Sequence, residues 1–135
     1  MPSKKNMVKL KYKDEFYKLG EVLMLYLNYL SGIIMIIVGG VCKVYPPKHI
    51  NHSLGYRTPF AMKNINTWNE ANEFAGMVLV CVGIISLLIT TFFIALGEVN
   101  NSTPAKISVI LLIISIPYTE IHLRKVFNKD GIKKL

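Results

Sequence analysis

Charged residues are missing from two long stretches of this 135-residue sequence. No Asp, Glu, Lys or Arg lies between Glu21 and Lys43, or between Glu73 and Glu98, which leaves uncharged runs of 21 and 24 residues. A helix needs about 20 apolar residues to cross the hydrocarbon core of a bilayer. Because two such helices could be buried only in a larger soluble protein, these runs exclude an ordinary water-soluble domain.

Cysteine and metal-ligand patterns are also scarce. Cys42 and Cys81 form no C-x-x-C pair and lie in or beside apolar runs, where a thiol behaves as a small hydrophobe. His49, His52 and His122 lack a cysteine or aspartate partner with metal-ligand spacing. No catalytic triad, phosphate-binding glycine loop or paired-carboxylate signature is present. We therefore expect no disulfide, metal, cofactor or enzymatic activity.

Apolar residues dominate what is present, at 52% of the sequence against 18% charged. This balance, with the uncharged runs, predicts an all-α integral membrane bundle of three transmembrane helices, with a polar loop between helices 1 and 2. We expect the helices within a membrane domain at 22–124, flanked by a basic N-terminal tail and a basic C-terminal tail. The expected bounds are 22–42, 74–96 and 105–123 for the helices, 1–21 for the first tail and 125–135 for the second.

Glycines recur seven residues apart in the first two spans, so each pair shares one helix face. The pairs are Gly32 with Gly39 and Gly76 with Gly83. Small residues let membrane helices approach closely, and packing rather than hydrophobicity holds such helices together. We therefore predict that the glycine faces of spans one and two meet.

Other local signals concern the helix ends. Thr67 and Glu70 fit a capping box at the start of the second span, whereas Pro117 and Glu120 are expected to interrupt the end of the third. Residues Val8–Leu19 fit an amphipathic helix on the membrane surface, or a solvated basic lead-in.

The net charge of +8 lies outside the apolar spans. Because no nucleic-acid-binding motif appears, we assign it to anionic lipid headgroups and to membrane topology. With three spans, the loop between spans one and two lies on the same side of the membrane as the C-terminal tail. These two segments carry four and five Lys and Arg residues, nine in all. The opposite side carries seven, of which six are in the N-terminal tail and one is Lys106. This difference slightly favours a cytoplasmic loop. In this arrangement, a cytoplasmic loop requires that the lysine tail is translocated. The alternatives are an outward-facing loop, or an interfacial N-terminal helix with an irregular first span.

Polar side chains are concentrated between the first two spans. Turn-forming, amide and aromatic residues there suit a cap over one end of the bundle, and this chemistry fits binding better than catalysis. A carboxylate within a membrane span is costly and usually paired. We therefore predict that Arg57 pairs with Glu73 or Glu120.

The spacing of these residues resembles the SdpI family of small bacterial membrane proteins, over about residues 30–130 and most densely at 46–76. The resemblance rests on a Gly-Tyr-Arg-Thr run, on prolines and amides around it, and on the Thr119–Glu120 pair. The candidate binding or structural residues are Pro46, Asn51, Gly55, Tyr56, Arg57, Thr58, Pro59, Met62, Asn64, Trp68, Asn72, Glu73, Gly76 and Glu120.

The founding member of that family is an immunity protein, which protects the producing cell from its own secreted, membrane-active peptide toxin. It also acts as a receptor that draws a transcriptional repressor to the membrane. The resemblance implies a protein of the bacterial cell membrane that binds such a peptide or shields its target. This chain has three spans where the founder has more, and its lysine-rich N-terminal tail is longer than expected for a minimal member of the family.

Two other functions stay open at this stage. One is a signalling module whose loop recruits a cytoplasmic regulator, and the other is a small transporter or channel subunit acting as a homo-oligomer. The expected partners are therefore the lipid bilayer, a peptide toxin or a cytoplasmic regulator, and no nucleic acid.

Overall fold

Three helices make up most of the computed structural model, which describes residues 4–98 and 102–134. They are α1 (Lys4–Val44), α2 (Ile65–Ala95) and α3 (Thr103–Val126). Each contains an apolar stretch long enough to cross a membrane. The prediction of an all-α membrane bundle with three transmembrane helices is confirmed.

α1 is much longer than one bilayer crossing requires. Its 41 residues extend roughly 60 Å at about 1.5 Å per residue, twice the roughly 30 Å of a hydrocarbon core. The side chains from Asn6 to Gly20 are all exposed. The segment Val8–Leu19 is helical, but it continues into the first span without a break.

α1 and α2 pack against each other through the two glycine pairs. A Cβ atom added at Gly39 would lie 2.6 Å from the carbonyl oxygen of Gly76, and one at Gly83 would lie 2.7 Å from that of Gly32. Only residues without a side chain allow the backbones to approach so closely. The predicted meeting of the glycine faces is confirmed.

α2 lies between the other two helices. It packs extensively on α1 and on α3, whereas α1 and α3 have few contacts with each other. The space between α1 and α3 is therefore open on one side, and α2 lies at its base.

The capping box of α2 lies one turn earlier than predicted. Asn64 is the N-cap: its side chain accepts hydrogen bonds from the N–H groups of Asn66 and Thr67, both at 3.0 Å. The Thr67 hydroxyl accepts the Asn64 N–H in return, at 3.1 Å. The Thr67–Glu70 assignment was wrong because asparagine caps a helix at least as well as threonine, so Thr67 takes the third helical position.

α3 continues through Pro117 and Glu120 to Val126. The expected interruption was wrong for a physical reason. A proline in a membrane helix removes one backbone donor, which neighbouring helices and local adjustments tolerate. Glu120 does not face lipid unpaired, because its side chain bonds to the loop between α1 and α2.

The chain after α3 turns back toward the start of α2. Phe127 and Lys133 form an antiparallel bridge, and the Asn128 side chain accepts two backbone N–H groups within this turn, both at 2.9 Å. The Asn64 amide then donates to the carbonyl of Gly131 at 2.9 Å. The N-cap of α2 therefore also holds the C-terminal turn, which we define as residues 127–134.

We predict that Gly39→Ala destabilises the bundle by roughly 1–3 kcal/mol, the usual cost of overpacking. Gly40 is the matched control, because an added Cβ there meets nothing within 4 Å. Gly40→Ala should be neutral, or stabilising by up to about 1 kcal/mol through helix propensity. Unfolding by dodecyl sulfate in mixed micelles measures both changes. Equal effects at the two positions would contradict the assigned crossing.

Candidate functional site

The loop between α1 and α2, residues 45–64, folds over one end of the bundle. Its first part is held by Trp68, which is fully buried and donates from its indole Nε1–H to the carbonyl of Pro47 at 2.7 Å. An indole N–H needs a partner when it is buried. Pro47 supplies that partner, so the loop starts by turning back across α2.

A buried amide holds the middle of the loop. Asn72 is 1% exposed; its Oδ1 accepts the N–H of Tyr56 at 2.7 Å, and its Nδ2 donates to the carbonyl of Trp68 at 2.8 Å. The neighbouring Gly55 has φ +105°, and a Cβ atom there would lie 2.2 Å from the Asn72 Oδ1. Both the backbone conformation and the space require glycine at this position.

Tyr56 joins the loop to α3. Its hydroxyl donates to the carbonyl of Ile116 at 2.9 Å, using the second lone pair of a helical carbonyl. Burial, together with the negative charge of Glu120, raises the pKa of Tyr56 to about 12. The phenol is therefore a neutral hydrogen-bond donor at any physiological pH.

Glu120 forms the second link between the loop and α3. Its Oε2 accepts the hydroxyl of Thr58 at 2.9 Å, and its Oε1 pairs with Arg124 Nη2 at 3.0 Å. The Thr58 hydroxyl in turn accepts the N–H of Ala61 at 3.2 Å. Both carboxylate oxygens of Glu120 are therefore used.

The predicted pairing of Arg57 is wrong. Within the described residues Arg57 forms no ion pair with Glu73 or Glu120, and its guanidinium donates to the carbonyl of His52. Arg57 lies between Tyr56 and Thr58, whose side chains both bond to α3, and it is exposed. Arg124, one turn along α3, takes the place that we assigned to Arg57.

A further contact was missed from the sequence. His122 Nε2 lies 2.8 Å from Glu70 Oε1, and its ring stacks on Phe74 with centroids 3.6 Å apart and planes 1° from parallel. Glu70 and Phe74 are four residues apart and share a face of α2. An acidic and an aromatic residue four positions apart on one helix face can together contact a histidine on a neighbouring helix, and this spacing is the signal in the sequence that could have identified the contact.

The remaining predicted residues surround this network. The Asn51 side chain closes a turn by accepting the N–H groups of Ser53 and Leu54 at 2.9 and 2.8 Å. The other positions are Pro46 and Met62, both half-buried; Pro59 and Glu73, both exposed; Asn64, the N-cap of α2; and Gly76, at the crossing with α1.

A cavity of about 230 Å³ lies beneath this cap, in the open space between α1 and α3. We call it the lateral cleft. Tyr56 and Asn72 form its roof, Ser115 and Thr119 add hydroxyls, and the rest of the lining is mostly apolar. Its other lining residues are Val38, Cys42, Gly55, Ala75, Gly76, Leu79, Leu112 and Ile116.

Three membrane-crossing helices with a hydrogen-bonded polar cap define a small multi-pass membrane protein. Residues 48–119 match the SdpI/YfhL protein family, and since this segment is more than half of the chain, the chain belongs to that family. The resemblance drawn from the sequence is thus confirmed. The matched segment holds most of the cap, and Pro47, Glu120 and Arg124 lie outside it.

The chain is also similar to a Bacillus subtilis (strain 168) protein named "Uncharacterized protein YfhL". The two are 40% identical over 55 residues, which cover 41% of this chain and 50% of that protein. This chain spans about half the length of the relative it matches. No solved structure matches it.

We predict that Asn72→Ala releases the loop. The substitution leaves the Tyr56 N–H without its acceptor, at a cost of roughly 1–3 kcal/mol. Trp68 is the only tryptophan in the sequence, so its fluorescence should shift to longer wavelength and be quenched more by acrylamide. Asn69→Ala, an exposed amide on the same helix, is the control. Unchanged emission in Asn72→Ala would contradict this anchor.

The raised pKa of Tyr56 predicts a loss of stability at high pH. The phenol ionises near the ordinary pKa of 10 in the unfolded chain and near a pKa of about 12 in the folded protein. The stability that the neutral phenol contributes to the fold is therefore complete below pH 10 and is lost as the pH rises to 12. Phenolate absorbance should show a late step, absent in Tyr56→Phe. An identical alkaline titration of the two proteins would overturn the assignment.

Proposed function

We propose that this protein is a membrane immunity protein, which protects the cell from a secreted, membrane-active peptide by binding it or shielding its target. The proposal rests on family membership, on the role that the family resemblance implies, and on the lateral cleft. The cleft carries the argument, because it offers a bounded site near one end of the bundle.

The chemistry of the lateral cleft suits an amphipathic peptide. Val38, Leu112 and Ile116 are exposed at its margin, so a ligand can enter from the hydrocarbon region rather than from water. Apolar walls with a few fixed polar groups are typical of binding sites. A peptide that inserts into the membrane presents apolar side chains at this depth.

The roof of the cleft is held in place before any ligand arrives. Asn72 and Tyr56 fix it through bonds to α2 and α3, and Thr58 adds the bond to Glu120. A site that is ordered in advance loses little entropy on binding. This arrangement supports capture of a ligand more than a channel that must open.

A second candidate is recruitment of a cytoplasmic regulator. It is favoured by apolar side chains that project from the loop outside the membrane-crossing segments: Tyr45 is 77% exposed and Leu54 is 70% exposed. Aromatic side chains such as tyrosine are enriched in protein interfaces. The two functions use different surfaces, so one protein can perform both.

We predict that expression of this protein raises survival of a sensitive bacterial strain challenged with the peptide toxin of the family's founding member. Survival and membrane depolarisation measure protection. Ser115→Phe, which fills the lateral cleft, should lose it. Ile113→Phe, on the lipid-facing side of the same helix and 60% exposed, should keep it.

Two outcomes would count against this function. If the wild-type protein is present in the membrane and gives no protection, the immunity role is wrong for this peptide class. If Ser115→Phe protects as well as the wild type, the peptide does not act through the lateral cleft.

A further inference from the structure

A second cavity lies on the outer side of the cap, between the loop and the C-terminal turn. Its volume is about 360 Å³, and we call it the cationic cavity. Its lining residues are Phe60, Arg124, Phe127, Asn128, Lys129 and Lys134. We propose that this cavity binds the phosphate of an anionic phospholipid headgroup.

Main-chain carbonyls position two lysines here: Lys134, which lines the cavity, and Lys63, which contacts the lining residues Phe60 and Lys129. Lys134 Nζ donates to the carbonyl of Arg124 at 2.7 Å, and Lys63 Nζ donates to the carbonyl of Lys129. An ammonium group has three donors. Each of these two lysines is therefore held in place with two donors left for another acceptor.

Positive charge is in excess at this point. Lys63, Lys129 and Lys134 form no ion pair with a carboxylate among the described residues, and Arg124 pairs only with Glu120. Bringing like charges together is unfavourable unless an anion joins them. A phosphate group supplies the negative charge and the several acceptor oxygens that these donors lack.

The floor of the cavity holds the cations in place from below. Phe60 and Phe127 are 7% and 3% exposed. The Arg124 guanidinium carbon lies 5.1 Å from the centroid of the Phe60 ring, and Lys63 Nζ lies 5.6 Å from the same ring. Aromatic faces attract cations, so the Phe60 ring favours a position of Arg124 and Lys63 beside it, at the edge of the cavity.

The position of the cavity favours a lipid over a free phosphate ion. Arg124 is in the last turn of α3, at the end of a membrane-crossing helix where headgroups lie. Ile121 is three residues before it on the same face and Ile114 is two turns further down; they are 53% and 54% exposed. Acyl chains can therefore follow α3 while the phosphate occupies the cavity.

Native mass spectrometry of the full chain in detergent tests this proposal, with dioleoylphosphatidylglycerol and dioleoylphosphatidylcholine as probes that differ only in the headgroup. We expect the phosphatidylglycerol to bind about tenfold more tightly, and Lys129→Gln with Lys134→Gln to remove most of this preference. The matched control is Lys125→Gln with Lys133→Gln, which removes the same charge from exposed positions outside the cavity.

Trp68 emission confirms that each variant keeps the folded cap, and Lys129→Gln alone provides a milder change, expected to show a smaller loss. Equal binding of the two lipids would overturn the proposal, and so would equal losses in the two double variants. If millimolar inorganic phosphate binds and phosphatidylglycerol does not, the site takes a free anion and the lipid assignment is wrong.

Discussion

The end of the bundle depends on one buried amide, that of Asn72. Its two polar atoms are used by the Tyr56 N–H and the Trp68 carbonyl. A buried polar group that loses its partner costs roughly 1–3 kcal/mol, so Asn72 is stable in this apolar position only while the loop rests on it. Position 55 is therefore glycine, because a Cβ atom there would lie 2.2 Å from the amide oxygen.

This amide also determines the distance between helices that scarcely touch. α1 and α3 have few direct contacts, but the loop leaves α1, is bound by Asn72 on α2, and reaches α3 through Tyr56 and Thr58. The loop therefore acts as a strap across three helices. The width of the lateral cleft is set by these hydrogen bonds at its roof and by the glycine crossing at its side.

Features that depend on local periodicity could be predicted from the sequence. The first two spans follow from uncharged runs, and the contact of Gly39 with Gly76 follows from seven-residue spacing. The partner of Arg57 could not be predicted in this way, since its direction depends on Tyr56 and Thr58 both turning inward. The C-terminal turn itself has a sequence signal, because Asn128 and the Asp130-Gly131 pair favour a turn. Its attachment to Asn64 could not be predicted, because the acceptor is the main-chain carbonyl of Gly131, which leaves no mark in the sequence.

Glu120 connects the loop to the edge of the cationic cavity. One of its oxygens accepts from Thr58 in the loop, and the other pairs with Arg124 at the edge of the cationic cavity. A guanidinium has five donors, so Arg124 can contact a phosphate without releasing Glu120. A lipid bound there would neutralise the excess positive charge between the C-terminal turn and the end of α3. The loop would then be held from its outer side, while the lateral cleft on its inner side stays open to a ligand from the membrane.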